Sequence, residues 1–304
     1  MTMLRHLVES RERPIVTAEF PSVNSGSLDT IATLLEPILP HVHAINATDN
    51  PAAHAHSSNV AIAVALQTLG AEPILQVVCR DKNRLALQSD IMGAALFGVR
   101  NVCALTGDDV TAGDEPQARR VFDLDGPQLI KVASGLAEGH YLSGREITDP
   151  PDLFIGAVEN PSAPPMDYRV QRAALKADAG ARFLQLQIGY HPERLEAFVR
   201  GCVENGVAAR TALLPTICLT RTARALGFMN DKVPGISVPD DLRARVSAAA
   251  DPGEESYTVA LELARHALSL TGVAGIHVAD FRHDGSLGRL VHDLDLSVAA
   301  PSAA

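Results

Sequence analysis

Short apolar runs alternate with amphipathic stretches from one end of the chain to the other. The apolar runs predict buried strands at 15–20, 42–48, 73–79, 100–105, 153–158, 182–188, 208–214 and 274–280. Between them, apolar residues recur at helical spacing near 28–39, 57–69, 83–97, 126–139, 167–179, 191–204, 220–229 and 255–271. Eight strands alternating with helices, with no linker midway, predict an α/β single domain, a (β/α)8 TIM barrel over residues 1–298. A short helix near 285–293 is expected to close it, and the tail 299–304 is expected to be disordered. Two strand-to-helix connections are long and polar. Residues 106–125 follow strand four, and 230–254 follow strand seven and are expected to cover the barrel mouth.

Polar residues inside this pattern carry the chemical information. Glu19 ends the first apolar run, Ile15-Val16-Thr17-Ala18-Glu19, just before Pro21; Asp108 follows strand four in Thr106-Gly107-Asp108-Asp109. Acids at the C-terminal ends of parallel strands are how barrel enzymes assemble active sites. Glu19 reads as a proton donor favoured in its neutral form by apolar neighbours such as Val16 and Phe20, or else as a solvated strand-end acid. Asp108 competes with an Asx turn, a use that suits Asp109 better. Gln185 and Gln187 share one side of strand six. The Gln187 amide either reads the edge of a pterin or purine or bonds a loop.

Composition narrows the classes. With 304 residues, 46% hydrophobic and 4% aromatic, the chain supports a large aliphatic core. A net charge of −10 argues against a broad nucleic-acid or anionic-membrane surface. Absence of a membrane-length apolar stretch, of a signal-peptide pattern and of any C-x-x-C pair among Cys79, Cys103, Cys202 and Cys218 predicts a cytoplasmic protein with reduced thiols. His41-Val42-His43 and His54-Ala55-His56 have metal-site spacing, but one starts a strand and the other opens a helix, so no metal is expected. No Rossmann or P-loop motif occurs.

Taken in order, the strand ends resemble the methylenetetrahydrofolate reductase family. Thr17-Ala18-Glu19-Phe20-Pro21-Ser22 resembles its F-E-F-F-P-P, and Ala104-Leu105-Thr106-Gly107-Asp108 its A-L-R-G-D. Ile45-Asn46-Ala47-Thr48-Asp49-Asn50 lies where the family reads V-S-V-T-Y-G. Lys176-Ala177-Asp178-Ala179-Gly180-Ala181 followed by Gln187 is similar to K-x-D-A-G-A then T-Q-F-F-F, and Leu213-Leu214-Pro215-Thr216 to P-G-I-L-P. The resemblance implies a barrel reducing 5,10-methylenetetrahydrofolate to 5-methyltetrahydrofolate with NAD(P)H, in one-carbon metabolism and methionine biosynthesis. Glu19 then matches the proton donor that opens the ring to a 5-iminium cation, and Asp108 the carboxylate beside the pterin. Gln187, Thr48, Asp49 and Leu214 fall at the folate, and Gln76, Thr106 and Lys176 at the cofactor. Arg282, near the end of strand eight, is placed to meet a folate carboxylate.

Departures from the family pattern cluster where it holds FAD. Its strand-two Tyr is Asp49 here, and its H-x-T-C-I-D is Gln76-Val77-Val78-Cys79-Arg80-Asp81. The Arg of R-G-D is Thr106, Y-P-E-x-H-P is replaced by Val158-Glu159-Asn160-Pro161-Ser162, and Arg169 and Arg172 stand for an Asp and an Asn. A dianionic pyrophosphate loses charge-assisted contacts by these changes, with Arg80, Arg169 and Arg172 as the available replacements. The expectation is a flavin-free reductase passing hydride directly from NAD(P)H, with NADH favoured by the acidic loop 108–125. The alternatives are an FAD relay, a non-redox pterin-binding methyltransferase and a non-catalytic folate-binding protein.

Overall fold

The computed structural model describes residues 1–298. The tail at 299–304 lies outside the described residues. Eight parallel strands close into one barrel in sequence order. They are β1 (Ile15–Glu19), β2 (Ala44–Ala47), β3 (Pro73–Val78), β4 (Asn101–Leu105), β5 (Phe154–Glu159), β6 (Phe183–Leu186), β7 (Ala212–Leu219) and β8 (Gly275–Asp280). The helices are α1 (Met3–Ser10), α2 (Leu28–Leu35), α3 (Asn59–Thr68), α4 (Arg84–Leu96), α5 (Gly126–Ala137) and α6 (Met166–Asp178). They continue with α7 (Pro192–Glu204), α8 (Val207–Arg210), α9 (Ala223–Lys232), α10 (Asp240–Ala248), α11 (Pro252–Ser269) and α12 (Ser286–Asp293). The predicted single-domain (β/α)8 TIM barrel is the observed one.

Strand alternation sorts the side chains into two cores. Outward residues such as Val16, Ala18, Ile45, Leu75, Val102, Leu184, Ile217 and Val278 pack against the helix ring. Inward residues Ile15, Ala44, Ile74, Cys103, Phe154, Phe183, Ala212 and Leu214 form a floor with Leu4, Leu7 and Val8 of α1. Burying each of the two leucines contributes roughly 1.5–3 kcal/mol. The Glu72 carboxylate holds α1 there by accepting from Met3 N–H at 2.6 Å and Leu4 N–H at 2.9 Å. This helix was not among the predicted elements, although Leu4, Leu7 and Val8 have its apolar spacing. Within the floor, a side chain at Gly156 would place its Cβ 2.3 Å from the Phe183 ring, so glycine makes room for the aromatic.

Two regions differ most from the sequence reading. Residues 207–210 turn as α8, and β7 runs through Pro215 to Leu219. The Leu186 carbonyl opposite Pro215 accepts from the Thr216 hydroxyl beside it, which keeps the strand paired past a residue with no N–H. The segment 230–254 contains α10, and Ile236, Val238 and Val246 form a small core with Tyr190, Leu226, Met229 and Val259. Asn160 after β5 donates to Gly235 O at 2.9 Å, which ties this segment to the C-terminal face. Loop 106–125 crosses the same face. Val121 N–H donates to Arg80 O at 2.9 Å, and Ala55 N–H donates to Asp114 at 3.2 Å.

Candidate active site

Glu19 ends β1 with its side chain 35% exposed, above a polar layer inside the barrel. The layer comprises Thr17 of β1, Asn46 of β2, Gln185 of β6 and His277 of β8, all buried. Asn46 and Gln185 reach across the interior as a reciprocal amide pair, at 2.8 and 3.0 Å. His277 Nδ1 lies 2.8 Å from Thr17 Oγ1, and its Nε2 lies 3.8 Å from Glu19 Oε1. Val16 and Phe20, expected beside the Glu19 carboxyl, point into the outer core instead, because they occupy the opposite face of β1. The immediate surroundings of Glu19 are therefore polar, and His277 is a residue that the sequence reading missed. A histidine at an inward position of Gly275-Ile276-His277-Val278 was the available signal.

Asp108 follows β4 on a sharp turn at Gly107, whose φ is +92° and whose added Cβ would lie 2.3 Å from Val78. Burial pushes the Asp108 carboxyl above its usual range, opposed by the Arg80 charge. Arg80 itself is 2% exposed and gives its guanidinium fork to Asp81, at 2.7 and 2.6 Å, and to Asn50 O at 3.0 Å. It reaches only the backbone oxygen of Asp108, at 3.5 Å. Burial works to raise the Asp81 carboxyl, but the hydrogen bonds from Arg80 and Asn50 outweigh it and hold the group low. Asp109 fills the turn role foreseen for it, accepting from Thr111 N–H at 2.9 Å and pairing with Arg120 at 2.7 Å.

Several expected ligand groups are engaged within the protein. Asp49 accepts from Val78 N–H at 2.9 Å and Lys82 at 2.8 Å; burial raises its carboxyl against the Lys82 charge. It ties β2 to β3. Leu214 lies mid-strand, wholly buried in the floor core, because β7 extends beyond the predicted end. Arg282 bonds Thr220 O at 3.1 Å and Gly253 O at 2.7 Å, bracing the turns around β7 and α11. Thr106 accepts from Gly126 N–H at 3.1 Å and so caps α5. Lys176 is 7% exposed and donates to Glu159 and to Val158 O, both at 2.5 Å.

Three other expected residues keep free polar groups. Thr48 is half-buried just past β2. Gln76 is buried, and its side-chain amide bonds none of the described residues. Gln187 accepts from Ile188 N–H at 2.9 Å, which leaves its NH2 available. It lines a cavity of about 20 Å³ with Gly189, Pro215 and His266, room for a water.

The four cysteines are buried free thiols, with burial pushing Cys79, Cys202 and Cys218 up to about 12. Of the paired histidines, His43 is buried and accepts from Val16 N–H, and His54 and His56 bond Ala52 and Asn24. Among the described residues, no three His, Cys, Asp or Glu side chains cluster as a metal site, and no helix is long and apolar enough to cross a membrane.

A family model described as methylenetetrahydrofolate reductase matches residues 10–295, nearly all of the described barrel. The chain belongs to the methylenetetrahydrofolate reductase family. It is 25% identical over 249 residues to "Probable methylenetetrahydrofolate reductase (NADPH)" of Caenorhabditis elegans, covering 79% of this chain and 35% of that protein. It is 24% identical over 200 residues to "Methylenetetrahydrofolate reductase 2" of Schizosaccharomyces pombe, covering 62% of this chain and 29% of that protein. This family member thus spans about a third of the length of those curated relatives. Among solved structures, one similar protein comes from Clostridium thermocellum and is described as binding two copies of 5-methyl-5,6,7,8-tetrahydrofolic acid. It matches at TM-score 0.70 and 14% identity, over 96% of this chain and 99% of that one. DmoA from Hyphomicrobium sulfonivorans matches at TM-score 0.55 and 10% identity, over 95% and 90% of the two chains. At these identities the likeness is one of fold.

Proposed function

We propose that this barrel reduces 5,10-methylenetetrahydrofolate to 5-methyltetrahydrofolate, with hydride passed directly from NADH and no flavin relay. One observation carries the reading. Of the acids at the C-terminal strand ends, Asp49, Asp81 and Glu159 are each paired with a Lys or Arg within 4.0 Å, and Asp280 is taken up by the backbone N–H groups of Arg282 and His283. Glu19 and Asp108 have no Lys or Arg ion-pair partner among the described residues. A carboxylate left unpaired in a part-buried site costs stability, and that cost is characteristic of residues kept for chemistry.

In this reading Glu19 gives its proton to N10 of the folate, the bond from N10 to the bridging carbon breaks, and a 5-iminium cation forms. Asp108, as a carboxylate beside the pterin, stabilises that positive charge, and the approaching cation in turn favours its ionised form. Hydride adds to the exocyclic carbon, which becomes the methyl group as NADH becomes NAD⁺. Thr48, Gln76 and Gln187 supply hydrogen-bonding groups that the protein leaves open. The family membership and the folate ligand of the C. thermocellum fold relative support this substrate class.

The residues present do not fit FAD well. Lys176, Arg169 and Arg80 spend their donors on Glu159, on the carbonyls of Ala163 and Pro164, and on Asp81. A pyrophosphate arriving there would compete with contacts already made. The acidic residues of loop 106–125 support NADH over NADPH. Arg84 at the start of α4 and Arg120 of the loop 106–125 are paired with Asp123 and Asp109.

The test is NADH oxidation by purified protein with methylenetetrahydrofolate and no added flavin. Turnover is expected, reduced about 10²–10⁴-fold by Glu19→Gln, the contribution typical of a placed general acid. Turnover only after FAD addition would refute direct transfer, and no turnover under either condition would refute the reductase reading.

A further inference from the structure

Arg80 follows β3 with its side chain 2% exposed, a depth at which a guanidinium is found only when its donors are met. Those donors are unevenly used. Nε and Nη2 fork onto Asp81 at 2.7 and 2.6 Å, and Nη2 also donates to Asn50 O at 3.0 Å. The Asn50 amide in turn donates to Asp81 Oδ2 at 3.2 Å, which closes the anchor. Among the described residues, the two N–H groups of Nη1 make one long contact between them, to Asp108 O at 3.5 Å. The anchored edge thus faces the ends of β2 and β3, and the open edge faces the turn after β4.

That turn rests on Arg80. A Cβ added at Gly107 would lie 3.1 Å from Arg80 Cβ and 3.7 Å from Nη1, so the backbone crosses directly over the side chain. The Arg80 carbonyl also accepts from Val121 N–H at 2.9 Å, holding the far end of the same loop. Other charges nearby are committed elsewhere. Asp49 is paired with Lys82 and Asp109 with Arg120, Asp125 caps α5, and burial keeps the Cys79 thiol protonated. Burial favours the neutral form of Asp108, and Arg80 is the charge that opposes it. A guanidinium in direct contact with Asp108 would cancel the field that the carboxylate offers an incoming cation. An arginine free to move would swing onto the carboxylate; the fork to Asp81 prevents this.

We propose that Arg80 is the positioning residue of Asp108: clamped by Asp81 and Asn50, its guanidinium supports the Gly107-Asp108 turn and keeps a fixed positive charge beside the carboxylate without pairing with it. Asp108 is thereby held ionised yet open to the cationic intermediate. The part played during turnover rests on the reductase reading; the coupling between Arg80 and Asp108 does not.

Two measurements separate these. In ¹³C NMR of the full chain without ligands, the Asp108 carboxyl is assigned by its disappearance in Asp108→Asn. Its titration is expected to move to higher pH in Arg80→Met, and an unmoved titration would overturn the proposal whatever the enzyme's reaction. In kinetics, kcat should rise with pH as Asp108 ionises. Arg80→Met is expected to move that limb to higher pH and to lower kcat about tenfold at pH values below it. Arg80→Lys keeps the charge and should return the limb toward its wild-type position. A uniform loss at every pH, with the limb in place, would show that Arg80 only braces the loops. Asp81→Asn tests the clamp independently, and decides the matter if Arg80→Met does not fold. It frees the guanidinium to pair with Asp108, so the carboxyl should titrate at lower pH while kcat falls about tenfold. A kcat equal to wild type or above it would refute the clamp. Wild-type protein inactive with folate and NADH would sink the reductase reading and leave the NMR titration to decide the coupling.

Discussion

Whether Lys176 is a cofactor ligand or a strut is decided by its partner. Glu159 and Lys176 bury their charges at 2% and 7% side-chain exposure with 2.5 Å between them, while Arg169 and Arg172 stand at 3.5 and 3.8 Å from the same carboxylate. Glu159→Gln leaves a buried ammonium facing two guanidinium groups, and burial already draws the Lys176 amine below its usual range. Removing one partner of such a pair costs about 3–5 kcal/mol. For a barrel of this size the unfolding entropy is roughly 0.6 kcal/mol per degree, so Tm should fall by about 5–8 °C. Lys176→Met is milder, because Glu159 keeps both arginines; about 1–3 kcal/mol, or about 2–5 °C, is expected. The double variant should be more stable than Glu159→Gln alone, since it strands no buried ammonium. Thermal unfolding at pH 7, with the KM for NADH measured in parallel, tests this. If Lys176→Met left Tm unchanged and raised that KM tenfold, the strut assignment would fail and the cofactor role would stand.

His43 is buried and drawn down to about 4, by burial first and by the Arg13 charge second. The unfolded chain takes up a proton below about pH 6.5 that the folded one refuses. Stability is therefore full above pH 6.5 and declines by at most about 3 kcal/mol as pH falls toward 4. Urea titrations between pH 4 and 7 should show that slope, and His43→Leu should flatten it whatever it does to stability at pH 7. Gly156→Ala should cost about 1–3 kcal/mol through overpacking against Phe183, read as a lower urea midpoint; an unchanged midpoint would mean that the ring moves freely. Asp108→Asn should lower kcat/KM for folate at least tenfold with thermal stability retained, and an equal loss of stability would mark the residue as structural.

Local periodicity and strand-end chemistry carried the reading a long way. The eight apolar runs, the helices between them, and Glu19 and Asp108 at strand ends were all legible, because each depends on residues within a turn or two of the chain. β7 was placed too early because Pro215 looks like a terminator in isolation; the Thr216 hydroxyl that sustains the pairing acts across to β6. Leu214 accordingly moved from the mouth to the floor.

What the sequence by itself determined is the order of elements and the presence of acids where a barrel opens. Which of those acids are free, and what faces them, only the closed barrel decided. Lys82 reaches back from beyond β3 to neutralise Asp49, and Lys176 crosses from α6 to Glu159. His277 comes under Glu19 only because β8 pairs with β1, in the register that sets Thr17 beside His277. Partnership between charges falls off within a few ångströms, whereas the separations along the chain here run from 17 residues to 260. No local pattern encodes it, and chain closure supplies it.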